Sequence, residues 1–348
     1  MASMIETSRY AARQAVRLAW YGGQYVVTRR QALRTITEAE KSYRPQGRFP
    51  DVAGIAGAMT DLFERDLANV AAGVYPLPDL THGPRDAVAL ARRYFADVDA
   101  VTERRLRHGH SEVRDQPEAQ GGDYPRYYLQ NFHYQSGGWL SDDSAALYDH
   151  QVEVLFTGTA DAMRRMALPY LKDALDLSHH APRPRLLDVA SGTGRFLHWV
   201  KRAIPRARLT ALDLSAPYLA RARATVASLR TVQAPAEAMP LADGVYDAVT
   251  SVYLFHELPP KVRGLVAAEM ARVLRPGGRL VVVDALQHGD RDDFDGMLEM
   301  FPIRFHEPYF ASYSTTDMPA LFEAAGLDTV AVEPAFLSKL FVFDKPAR

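Results

Sequence analysis

From residue 185 to the C-terminus, short apolar runs alternate with stretches of helical period, a pattern that few folds can absorb. The strand-length runs are 185–189, 208–213, 231–234, 246–252, 279–284, 327–332 and 337–343. Helical patterns fill 194–204, 216–229, 260–274 and 317–325. Alternation of this kind predicts an α/β fold whose sheet is mostly parallel and covered on both faces. No helix separates the last two runs, only a break at Glu333-Pro334. They are expected to pair as an antiparallel hairpin.

With 348 residues there is room for two domains. A formal charge of -1 gives no global pull towards nucleic acid or anionic lipid. The absence of cysteine excludes disulfides, thiolate metal sites and a cysteine nucleophile. No apolar run reaches the length of a membrane span. No secretory signal is read, so a cytoplasmic location is expected.

Charge is uneven, however. Residues 1–48 hold nine Lys/Arg against three acids. Within them Ala12, Val16, Ala19, Gly23 and Val26 share one helical stripe, beside Arg9, Arg13 and Arg17. Such a start fits a membrane-surface helix or a targeting segment. The simpler reading is a solvated helix that packs its Trp20 side on the fold. Gly22-Gly23 is expected to weaken its continuity.

Further helices are expected over 55–70, ended by Pro76 and Pro78, and over 85–107. Residues 124–148 are seven-in-25 aromatic, against 10% for the whole chain, so this is no generic loop. Helical period returns over 144–171, broken by Gly158 and Pro169, before a linker at 176–185. The division this suggests is an N-terminal helical cap with an aromatic lid, 1–143, and a second unit, 144–348.

The chemistry gathers at the first strand of that unit. Asp188 comes near its end, and Ala190, Gly192 and Gly194 follow at alternating positions. Small residues let backbone approach a ligand, and the helix that starts there offers amides and a positive dipole end. Asp213, closing the second strand, suits the hydroxyls of a ribose. NAD is the obvious competitor, but its fingerprint needs a small residue where Leu197 stands. No phosphate-cradling G-x-x-x-x-G-K-[ST] loop is present either.

LLDVASGTGRF, ALDLS, AEAMPLADGVYDAVTSVYLFHEL and VLRPGGRLVVVD resemble, in order and spacing, the class I S-adenosylmethionine-dependent methyltransferases. They look closest to the branch of the ubiquinone/menaquinone C-methyltransferases. The resemblance covers about half the chain, from Tyr148 onward. It implies a seven-stranded, mostly parallel Rossmann-like sheet with a C-terminal hairpin, and S-adenosyl-L-methionine as cofactor. In that family the positions of Asp188, Ala190, Ser191, Gly192 and Gly194 hold the amino-acid end of the cofactor. Asp213 would take the ribose, Leu214 would pack on the adenine, and Ala236 and Glu237 would line its edge. Val252 and Tyr148 complete the expected set, Tyr148 through a Tyr-Asp pair ahead of the first strand. Two departures stand out: Ala190 replaces the first glycine, and Pro235 replaces a frequent aspartate. Adenine recognition is thereby left to backbone, water or Glu237.

Methyl transfer is a direct displacement that depends mainly on positioning, with a base needed only if the acceptor carries a proton. Substrates lie beyond the carboxyl ends of the strands. The catalytic candidates there are His256, after the fourth strand, and His133 and Tyr134 of the aromatic segment. His256 acts as a base or caps the next helix, and the aromatic residues line a dry pocket or a docking core. No metal is expected: His256-Glu257 lacks a second histidine at zinc spacing, and His108, His110, His179 and His180 lack further ligands. Residues 294–313, rich in Met, Phe and Tyr, would help the cap enclose an apolar acceptor.

The expected activity is methyl transfer to a small, partly apolar molecule, quinone-, lipid- or natural-product-like, at oxygen, carbon or nitrogen. One rival is an RNA or protein methyltransferase using the basic start as an arm, although no nucleic-acid module is recognisable. Another is a non-catalytic cofactor-binding protein. A membrane contact through the N-terminus and a homodimer both stay open.

Overall fold

The computed structural model describes residues 4–80, 83–176 and 182–347, which leaves His179 and His180 outside. The helices α1 (Met4–Arg34), α2 (Glu38–Ser42), α3 (Val52–Ala71), α4 (Pro84–Leu106) and α5 (Pro117–Gln120) precede the aromatic segment. After it, α6 (Asp142–Leu155), α7 (Ala160–Arg165) and α8 (Leu168–Asp176) lead to β1 (Arg185–Val189). The alternation continues through α9 (Arg195–Ala203), β2 (Arg208–Asp213), α10 (Ala216–Thr225), β3 (Arg230–Gln233), β4 (Tyr246–Val252), α11 (Pro260–Val273) and β5 (Leu274–Ala285). An insertion, α12 (Asp295–Arg304) and α13 (Phe310–Tyr313), precedes α14 (Met318–Glu323), β6 (Asp328–Ala335) and β7 (Ser338–Asp344).

The strands form one seven-stranded sheet in the order β3-β2-β1-β4-β5-β7-β6. β7 runs antiparallel to β5 and β6, and the other pairs are parallel. This is the α/β sheet with a terminal hairpin that the alternation implies. β1 shows why the central strands are apolar runs: Leu186 enters the core on one face, Leu187 and Val189 the core on the other. β2 and β3 lie to one side of β1, β4 and β5 to the other. Register sets Val189 opposite both Leu212 and Ser251. Ala190, Asp213 and Val252 therefore emerge together, at the crevice a doubly wound sheet leaves where its order reverses.

Several details differ from expectation. β5 starts at Leu274, because Leu274 itself pairs with Tyr246 before the Pro-Gly-Gly stretch. The helical break falls at Gly158 and not at Pro169, which sits in the first turn of α8 where no amide is needed. α1 runs unbroken through Gly22-Gly23, held on either side by a Tyr21–His150 ring contact of 5.4 Å and a Gln24–His150 contact of 2.8 Å.

The inward face of α1 is also not the one its apolar stripe suggests. Tyr10, Gln14, Arg17, Tyr21 and Gln24 are buried. Ala12, Val16, Ala19, Gly23 and Val26 are exposed, and Trp20 is half-buried. The polar face turns inward because charged partners await it there, as the next section shows. Among the described residues no helix is long and apolar enough to cross a membrane.

Candidate active site

A cavity opens at the carboxyl ends of β1, β2 and β4, and the turn after β1 is its floor. Ala190 (φ 56°), Gly192 (φ 54°) and Gly194 (φ 75°) are all left-handed. Glycine adopts that conformation freely and alanine at a cost, so the alternation of small residues has a backbone cause. A Cβ on Gly194 would stand 3.0 Å from the Ala222 Cβ, which requires glycine for packing. On Gly192 it would come no closer than 3.9 Å to Tyr218 and would intrude on the cavity.

Asp213 is bound into this turn. Its Oδ2 accepts the Gly192 amide and its Oδ1 the Ser215 amide, both at 2.8 Å. Burial raises its carboxyl above the ordinary value, against those amide hydrogen bonds. Each oxygen still has a lone pair to offer. Asp188 is buried one layer below, accepting the Thr250 hydroxyl at 2.8 Å. Burial pushes its carboxyl up to about 7; the Thr250 bond opposes the rise and the charge of Asp213 adds to it. Asp149, beside Tyr148 on α6, accepts the Thr193 hydroxyl at 2.8 Å and so ties the helix to the turn.

Of the expected cofactor set, Ala190, Gly192, Asp213, Leu214, Ala236, Val252 and Tyr148 line this one cavity. Asp188, Ser191 and Gly194 are not in its lining. Glu237 departs from expectation. Its two oxygens lie 2.7 and 2.8 Å from the Tyr127 hydroxyl, which they accept, and it stands outside the lining, so it fastens the aromatic segment. Pro235 and Ala236 hold that wall instead.

The roof comes from the aromatic segment. Tyr127, Tyr128, Phe132 and Trp139 line the cavity. Trp139 meets Tyr148 and Tyr218 edge-on at 5.5 and 5.7 Å. These contacts make the segment both pocket wall and docking core. Tyr128 Oη lies within hydrogen-bonding reach of the Ser215 hydroxyl, and Ser191 Oγ is buried without a hydrogen-bond partner among the described residues. The Asp213 carboxylate with acceptor capacity, over a floor left open at Gly192 with Ser191 Oγ unmatched beside it, fits the ribose and amino-acid groups of an adenosyl cofactor.

Helices α1 and α3 are joined to α7, and α7 to α9, through buried charge. Asp161 on α7 accepts from Arg195 on α9 at 2.9 Å and from Arg164 at 3.3 Å, and lies 3.7 Å from Arg17 on α1. Burial works against its charge, but Arg195, Arg17 and Arg164 together hold it well below the usual carboxylate range. Asp66 on α3 accepts Tyr10 Oη at 2.6 Å, Tyr75 Oη at 2.7 Å and Arg165 Nε at 2.8 Å. Tyr10 and Arg17 are what the inward stripe of α1 delivers.

None of the three catalytic candidates lines the cavity. Tyr134 is buried against His306, 5.9 Å between ring centres, and its carbonyl accepts Arg104. His133 Nε2 lies 2.9 Å from Glu307 Oε1. His256 Nδ1 lies 2.6 Å from Asp284 Oδ1, and Asp284 Oδ2 takes the Phe255 amide. Burial alone would lower the His256 imidazole, but Asp284, with Glu307 and Glu257 behind it, holds it up at about 9. The rise favours the protonated imidazole, which has no lone pair to offer, and His256 lies outside the cavity lining.

Glu257 does line the cavity. Burial raises its carboxyl well above the ordinary value; His256 opposes that, while Glu307, Asp284 and Asp213 add to it. Asp284 had a legible signal, an acid near the end of a strand like Asp188 and Asp213. Glu307 had none, lying in an insertion read only as apolar. His110 stacks on His306 at 4.2 Å. Among the described residues no group of three or more His, Asp or Glu is placed to hold a metal.

Residues 186–278 match the family model described as a methyltransferase domain. The demethylmenaquinone methyltransferase of Thermus thermophilus is 37% identical over 121 residues, 34% of this chain and 54% of that one. The ubiquinone/menaquinone biosynthesis C-methyltransferase of Geotalea daltonii is 32% identical over 152 residues, 42% of this chain and 61% of that one. The chain thus spans a little over half the length of these relatives. Among solved structures, the 1,6-didemethyltoxoflavin-N1-methyltransferase of Burkholderia thailandensis aligns over 78% of this chain and 94% of its own, at 17% identity and a TM-score of 0.40.

Proposed function

We propose that this chain, which carries a methyltransferase domain similar to those of quinone C-methyltransferases, is a class I S-adenosylmethionine-dependent methyltransferase that methylates a small, partly apolar, quinone-like acceptor. The observation that carries this reading is one strand-end cavity holding the Asp213 carboxylate over the left-handed turn and beneath an aromatic roof. The quinone-like acceptor is supported by what the relatives are named for acting on, together with the aromatic roof.

When bound, the cofactor supplies a methyl group on a sulfonium centre that leaves as a neutral thioether. The chain's own part is to position, to exclude water and to balance charge. Asp213 would accept the ribose hydroxyls, with Tyr128 supplying a further polar contact. Leu214 and the backbone at Pro235 and Ala236 would flank the adenine, replacing the aspartate contact that this chain lacks. Asp188 would hold the amino-acid end, favoured as a carboxylate once a cation lies beside it. Tyr148, Trp139 and Phe132 close the roof and keep the reacting centre dry. Glu257, with its proton held tightly, would face the acceptor end of the cavity.

Calorimetric titration with S-adenosyl-L-methionine and with NAD tests the cofactor, and binding of NAD alone would overturn it. Incubating cell extract with the protein and methyl-labelled cofactor, followed by mass spectrometry, tests the acceptor. A labelled apolar aromatic product supports the reading. Labelled RNA or protein, or binding without turnover, transfers support to the other two.

A further inference from the structure

A second polar cluster lies behind Glu257, and the cofactor has no need of it. Glu307, between α12 and α13, is 2% exposed. Neither of its carboxylate oxygens has a hydrogen-bond partner among the described residues. Its ion-pair neighbour, His133 Nε2, lies 2.9 Å from Oε1 but off the line of a hydrogen bond. A buried carboxylate with unmatched oxygens is unfavourable unless something completes it.

The surroundings are aromatic. His133 packs against Phe301 and Phe305 at 5.6 and 5.2 Å, and His256 against Phe310 at 6.2 Å. The cluster adjoins the cofactor cavity, because Phe132, which lines that cavity, packs on His306, the neighbour of Glu307, at 6.2 Å between ring centres. The aromatic segment and the insertion meet here: the His133 amide donates to the His306 carbonyl at 3.3 Å. His133 (φ 53°) and Tyr134 (φ 57°) are successive left-handed residues without being glycine. Such a conformation persists only where its surroundings enforce it. The His133 side chain is 26% exposed, which gives an approach from solvent.

We propose that Glu307 and His133 form the subsite that recognises the methyl acceptor, taking a hydrogen-bond donor, hydroxyl or ammonium, carried by a flat apolar molecule. The proposal rests on the methyltransferase reading above. Glu307 accepts the donor, and no covalent step is asked of it. A donorless analogue leaves the buried oxygens unmatched, so the subsite selects and does not merely hold.

The test is calorimetry in the presence of S-adenosylhomocysteine, with 1-naphthol, 1-methoxynaphthalene and 1-naphthylmethylammonium as probes. The wild type is expected to prefer a donor probe over the ether by at least about tenfold. The stronger of the two donor probes identifies the source as hydroxyl or ammonium. In Glu307→Leu the preference falls to roughly one, while S-adenosylhomocysteine affinity stays within about threefold. Glu307→Gln keeps the shape, guards against a variant that fails to fold, and is expected to give an intermediate ratio. A wild type without donor preference, or a preference that survives both substitutions, overturns the proposal. Failure of S-adenosylhomocysteine to bind the wild type overturns the cofactor reading instead, and this proposal with it.

Discussion

The floor and the roof of the cavity are built by different physics. The floor is backbone: three left-handed residues, two of them glycines, and strand ends brought level by register, over an apolar core. The roof is side chain, closed by aromatic edges, and the N-terminal helices α1 and α3 beyond it are held by buried charge at Asp161 and Asp66. The turn of the floor depends on local constraints, which neighbours in the chain satisfy. Those helices depend on pairs far apart in the chain, such as Arg17 with Glu153 and Arg165 with Asp66, at 2.7 and 2.5 Å. Cutting one partner of such a pair strands the others, so that region should be the more brittle.

The largest expected effect follows directly. Asp161→Asn leaves Arg17, Arg164 and Arg195 buried around a neutral group. We expect a loss of about 3–5 kcal/mol in unfolding free energy, read by chemical denaturation. A loss under about 1 kcal/mol would mean that the N-terminal helices are held by their apolar contacts and that the contrast with the floor is false.

Next comes Asp213→Ala, a change at the floor. Cofactor affinity should fall about a hundredfold by calorimetry, close to 3 kcal/mol, because each Asp213 oxygen would take a ribose hydroxyl. Stability should change far less than in Asp161→Asn, since it leaves two backbone amides, and no buried guanidinium, without their acceptor. Unchanged affinity would remove the ribose assignment.

The same contrast explains what could be read from the chain. β1, β2, β4 and the hairpin were legible because strand period, glycine spacing and terminal carboxylates are local signals. Asp188, Asp213 and the turn were located by those signals. The face of α1 was not, because Ala12, Val16 and Val26 mark an apolar stripe, whereas Tyr10 and Arg17 are drawn inward by Asp66, Glu153 and Asp161. Those partners lie on α3, α6 and α7, and no periodicity within α1 records them. Glu237 and His256 illustrate a related limit of local signals. Each was read by position alone, and its distant partner, Tyr127 or Asp284, is recorded by no local signal.

His256 sits on the seam between the two regions and gives a pH test. Its pKa is raised from 6.5 unfolded to about 9 folded. The pair with Asp284 therefore contributes stability that is fully present below about pH 6.5 and lost as pH rises through about 9. The gap in unfolding free energy between wild type and His256→Gln should be widest near pH 6. It should narrow by on the order of 2 kcal/mol towards pH 10. A gap that stays constant across that range would show a neutral hydrogen bond in place of the ion pair.

The smallest effect belongs to the floor itself. Ala190 holds φ 56° where glycine would rest without strain. The left-handed conformation costs an alanine roughly 1 kcal/mol or more, and glycine would relieve it. Against that, glycine gains freedom in the unfolded chain worth about 0.5–1 kcal/mol, and the Ala190 methyl, packed against the core below, would be lost. The balance for Ala190→Gly is a gain of about 0.5 kcal/mol in unfolding free energy, with cofactor affinity within about twofold of wild type. A clear loss of stability would mean that the methyl contributes more than the backbone strain costs, and that even this part of the floor is held by side-chain packing, as the roof is.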